Sequence, residues 1–170
     1  MASLVEELIV VMETEEKLYQ KMVELGEKKK KILIQADIPA LDALTVQEQA
    51  VSDELIAQIN RQGKVLGDIA DVLGRSEQKI TVTKLIKLME SQKEAKEQLM
   101  CAKDRLLAAA NQLKELNQQN EKLLKQAIEI TEFDITLLRS MRQAPETANY
   151  NRNACNAGSI LGSSGFDAKQ

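Results

Sequence analysis

The side chains with a claim to nucleophilic, acid–base or metal chemistry are few. They reduce to two thiols, Cys101 and Cys155, and 26 dispersed carboxylates, because the sequence contains no histidine. Histidine triads, histidine metal sites and imidazole acid–base catalysis are therefore excluded. The two cysteines stand 54 positions apart and make no zinc motif, and neither lies in a basic cluster that would lower a thiol pKa, so both read as small filler residues. Neither a G-x-x-x-x-G-K-[ST] nor a G-x-G-x-x-G pattern occurs. The carboxylates fall on helix surfaces with no strand-and-loop scaffold to gather them into a pocket. No catalytic residue, no metal site and no cofactor is assigned, and an enzyme is not expected.

The elements that would carry such residues explain the pattern. Hydrophobic residues make up 44% and charged residues 29%, while aromatic residues make up 2% and Trp is absent. That is the composition of long amphipathic or coiled-coil helices, packed by Leu, Ile, Val and Ala. A net charge of -3 from interspersed acids and bases gives no field to collect phosphates, so no nucleic-acid partner is expected. The run Lys28 to Lys31 reads as a solvated helix face. Glu6, Glu7 and Glu13 break any signal-like apolar run, and nothing approaches the roughly 20 apolar residues of a membrane span. The expectation is a cytoplasmic protein with reduced thiols and no membrane insertion.

A heptad seam runs through Leu4, Leu8, Val11, Leu18, Met22, Leu25, Ile32 and Ala36, with Glu15 and Lys29 in the remaining slots. It stops at Asp37-Ile38-Pro39, a turn into a second helix. The second seam takes Leu41, Leu44, Val51, Leu55, Ile59, Leu66, Ile69 and Leu73, is interrupted by Glu48 and Gln62, and ends at Gly74. These two helices should form an antiparallel hairpin. Gly63 and Gly67 either weaken the second helix or admit a close neighbour, and close approach is the reading taken. Thr81 caps a short helix, and Ser91 with Glu94 has capping-box spacing before a long one. On that last helix Asn117 and Asn120 fall on or beside the seam, either buried to fix register or turned to solvent.

The fold class is thus all-α, an elongated antiparallel three-helix coiled-coil-like bundle over 1–143, with helices near 2–36, 39–73, a short 82–90 and a long 92–142. After Pro145 the Asn, Ala, Gly and Ser composition of 144–170 reads as a flexible tail. The first two helices are each about 50 Å long and the last roughly 75 Å, at 1.5 Å per residue. About fifteen residues should overhang, carrying Ile128, Ile130, Phe133, Ile135, Leu137, Leu138 and Met141. A partner, a second copy of the chain or the folded-back tail must cover such a face. Phe133 either closes the bundle or anchors an interface. The client-binding candidates are Ile128, Phe133, Leu137, Leu138 and Met141, suited to an amphipathic helix.

The stretch Leu116-Asn117-Gln118-Gln119-Asn120-Glu121-Lys122-Leu123-Leu124, with Ile128, Ile130 and Leu137-Leu138 after it, resembles the FlgN family pattern. Tyr19 before a lysine-rich helix end, Glu48-Gln49, and Ile80-Thr81-Val82-Thr83-Lys84-Leu85-Ile86 fit the same family. So do Tyr150, the Gly/Ser-rich stretch and the ending Phe166-Asp167-Ala168-Lys169-Gln170. Gln62 or Gly63 stands where many relatives carry Arg, and Ala154 where Gly commonly follows the tail tyrosine. The resemblance implies a cytoplasmic chaperone of flagellar type III export. It would bind the hook-filament junction proteins FlgK and FlgL and escort them to the export gate component FlhA, with Tyr150 the gate-docking residue or a packing residue. The competing expectation is a structural coiled-coil scaffold or homodimeric spacer without a client.

Overall fold

The computed structural model describes residues 2–75, 80–89 and 92–143. Among them are four helices: α1 (Ala2–Gln35), α2 (Ile38–Val72), α3 (Val82–Leu88) and α4 (Lys93–Gln143). The all-α class is as expected, but the bundle has four helices and not three. The short α3 is a packing element in its own right: Leu85 and Ile86, with Ile80 before it and Met89 after it, are buried in the main core.

Each connection has a local cause. At the α1–α2 turn Ala36 takes the left-handed conformation at φ 52°, and the Asp37 amide donates back to the Ile32 carbonyl at 3.3 Å. Asp37 Oδ1 then caps α2 by accepting from the Ala40 amide at 3.0 Å. Pro39 falls one position inside the helix, where no intrahelical donor is needed. Gly74, at φ 66°, turns the chain out of α2, and its successor's amide, that of Arg75, reaches the Ala70 carbonyl at 2.9 Å. Thr81 Oγ1 caps α3 from the Lys84 amide at 3.3 Å.

The chain divides into two compact units, Met1–Ile130 and Thr131–Gln170. In the first, α1 and α2 are antiparallel, since Lys29 faces Glu48 while Glu15 faces Gln62. The polar residues that interrupt the two seams therefore meet each other. α4 runs in the same direction as α1: Arg105 pairs with Glu13 at 2.9 Å and Glu16 at 3.4 Å, and Asn120 meets Gly26. α4 therefore runs back antiparallel to α2, as the expected up-down-up order requires.

Two apolar clusters flank the Glu15 level. One joins Val5, Leu8 and Met12 of α1 to Val65 and Ile69 of α2, Leu85 and Ile86 of α3, and Leu99 and Ala102 of α4. The other consists of Leu18 and Leu25 of α1 with Leu44, Val51 and Leu55 of α2. A further contact was not legible beforehand. A methyl group on Gly26 would lie 2.7 Å from Leu116 Cδ2, so α4 approaches α1 where no side chain stands. Asn120 is buried there and donates from Nδ2 to the Gly26 carbonyl at 2.8 Å, whereas Asn117 is exposed. Gly63 and Gly67 meet nothing within 4 Å, which corrects the expectation of a close neighbour at these two sites.

Candidate functional site

Exposed large apolar side chains occur along all four helices, among them Val10, Ile34, Val46, Ile56 and Leu88, but they are densest late in α4, where seven fall between Ile128 and Met141. Every described side chain from Ile128 to Arg142 is exposed. In the second unit Phe133, Leu137 and Met141 recur every four residues, so they share one face of the helix, and Leu138 adjoins it. Phe133 is 65%, Leu138 60% and Met141 66% exposed. Phe133 therefore does not close a core. The hydroxyls of Thr136 and Ser140 turn back onto the carbonyls of Glu132 and Leu137, at 2.9 and 2.7 Å, and so do not interrupt the apolar face with free donors.

Of the five residues singled out from the sequence, Phe133, Leu137, Leu138 and Met141 lie together in the second unit. Ile128, also exposed, belongs to the first. Tyr150 and Cys155 lie outside the described residues, as does the whole stretch 144–170 read as a flexible tail. Cys101 is exposed on α4. In the basic run, Lys29 pairs with Glu48 at 2.7 Å and Lys30 donates to Gln119 at 3.2 Å, which makes it a helix face with partners of its own.

The chemistry of this face is apolar contact. An exposed helical stripe of this kind gains free energy when an amphipathic helix covers it, at about 25 cal/mol per Å² of apolar surface removed from water. Among the described residues no group of three or more Cys, Asp or Glu could hold a metal ion, and no helix is long and apolar enough to cross a membrane. Sequence reasoning missed one polar feature, the buried carboxylate of Glu15 at the level between the two clusters. Its position in a heptad slot was the available signal.

The described residues make up an all-helical chain with an exposed apolar face late in its last helix. Residues 1–157 match the family model described as FlgN protein. The chain belongs to the FlgN family, which is a family of flagellar export chaperones and not of enzymes. No curated protein and no solved structure matches the chain.

Proposed function

We propose that this chain binds the hook-filament junction proteins FlgK and FlgL in the cytoplasm and delivers them to the type III export gate through FlhA. The observation that carries the reading is the exposed Phe133, Leu137, Leu138 and Met141 face in a chain of the FlgN family. Junction proteins present terminal amphipathic helices that aggregate when uncovered, and an apolar helix face is the complement such helices need. Ile128, exposed in the first unit, is a further candidate for client contact.

Light scattering of the purified chain with and without FlgK from the same organism tests the proposal. A stoichiometric complex with FlgK is expected. A stable homodimer indifferent to FlgK would replace the chaperone by a spacer. Tyr150 is assigned to gate docking, since a phenol ring anchors a transient interface at small entropic cost. Tyr150→Ala should then retain FlgK at near-normal affinity while losing binding to the cytoplasmic part of FlhA. A parallel fall in FlgK affinity would return Tyr150 to a packing or client role.

A further inference from the structure

Polar side chains that interrupt a packing seam in this protein are met by a polar group on the facing helix. Glu15 of α1 faces Gln62 of α2 at 3.5 Å, Lys29 of α1 pairs with Glu48 of α2 at 2.7 Å, and Asn120 of α4 donates to the Gly26 carbonyl at 2.8 Å. The seam of α4 carries one more. Alternating steps of three and four from Leu99 to Ala127 each land on a buried or half-buried side chain. The same steps continue along the helix to Ile130, Asp134, Leu137 and Met141, all exposed.

Asp134 has no such complement. Its neighbours one helical turn away are Ile130, Thr131, Leu137 and Leu138, none of them charged, and its carboxylate makes no hydrogen bond or ion pair among the described residues. Set among apolar side chains, it stays hydrated while the face is bare. A helix that covers Leu137 and Leu138 takes it out of water, and that loss is offset only when the covering helix brings a donor of opposite charge.

We propose, resting on the reading that this face takes the client, that Asp134 selects the client helix: it admits one with a lysine or arginine at the centre of its apolar stripe and disfavours one with a neutral or acidic residue there. The occupant is a helix because Asp134, Leu137 and Met141 keep the three-four spacing by which α4 packs in the first unit. It is cationic at this point because an ionised carboxylate only accepts hydrogen bonds, and a like charge set against it repels. Leu137 and Leu138 supply attraction to any apolar helix, whereas Asp134 supplies the discrimination among them.

Fluorescence anisotropy of the full chain with three labelled helical peptides tests this. Each is a leucine-faced amphipathic helix with lysine, glutamine or glutamate at the centre of the apolar stripe, and a compensating change on the polar face keeps the net charge the same. The lysine peptide should bind at least about tenfold more tightly than the glutamate peptide, with glutamine between them. Asp134→Lys should reverse that order, and Asp134→Asn should shrink the spread to within about threefold. Leu137→Ser with Leu138→Ser should weaken the lysine peptide at least about tenfold, because it removes the surface on which the peptide lies. A smaller preference in the wild-type chain, an order that Asp134→Lys leaves unchanged, or full affinity of the lysine peptide for the double serine variant overturns the proposal. FlgK enters separately. If the wild-type chain binds FlgK and Asp134→Lys binds it as tightly, the charge selection falls and the chaperone reading stands. A wild-type chain that ignores FlgK sinks the chaperone reading and leaves the peptide order to decide the role of Asp134.

Discussion

Replacing Glu15 by glutamine should stabilise the protein, and by an amount that grows with pH. The carboxyl titrates near 7 in the folded chain against an ordinary value of 4.5, because burial disfavours its charged form. Between those values the folded state holds a proton that the unfolded state has released, so unfolding becomes easier as pH rises. The stability tied to this group is whole below pH 4.5 and is lost as pH climbs through about 7. The difference between 4.5 and about 7 is worth about 3.5 kcal/mol, at about 1.4 kcal/mol per pH unit. Glutamine keeps the shape and the Gln62 neighbour without the charge. Urea unfolding followed by far-ultraviolet circular dichroism at pH 5 and pH 8 should show the variant's advantage growing by about 2 to 3 kcal/mol. With urea slopes of about 1–3 kcal/mol per molar, the midpoint difference should widen by about 1 to 2 M. Other carboxylates titrate equally in both proteins and cancel in the difference. A difference that stays constant from pH 5 to pH 8 would refute the argument.

Leu137→Ser with Leu138→Ser should weaken FlgK binding at least about a hundredfold, at about 1.5 kcal/mol or more per buried leucine. Helical circular dichroism should be nearly unchanged, because both leucines are exposed in the free chain; unaltered titration calorimetry would move the client site elsewhere. Gly26→Val should cost about 1–3 kcal/mol by driving a side chain into Leu116. A double-mutant cycle with Leu116→Ala, read by thermal unfolding, should return a favourable coupling, whereas simple additivity would show that the two sites do not press on each other. Gly63→Ala and Gly67→Ala face open space inside α2 and should each raise stability by about 0.5–1 kcal/mol, visible as a higher melting temperature.

The helices were legible because their signals are local. Spacings of three and four set the seams, and Asp37, Gly74 and Thr81 act within a few residues of where they stand. The exposed apolar run late in α4 is written in its own residues, Ile128 to Met141, on a helix of 51 residues against 34 and 35 for α1 and α2. What the sequence hid depends on the partner across the gap. Gly26 looks no different from Gly63 until Leu116 is placed beside it, and Asn120 no different from Asn117 until the Gly26 carbonyl is within reach. Glu15 and Gln62 read as separate interruptions of two seams, and only the α1–α2 register makes them neighbours. The short α3 was visible as a helix, but the burial of Leu85 and Ile86 required the first turns of α4 to be in place.

The two clusters also differ in when a growing chain can complete them. The smaller draws only on α1 and α2, and its last member is Leu55, so it can close once the chain as far as Leu55 has left the ribosome. The larger cannot close before Ala102 has been made. At about 5–20 residues per second, the intervening 47 residues take roughly 2 to 9 s to synthesise. For that interval Val5, Leu8 and Met12, among the first apolar groups to emerge, have their α1 neighbours and part of α2 but not the α3 and α4 side chains that finally cover them. The nascent chain of a member of this chaperone family is thus itself exposed at its own first turns for several seconds.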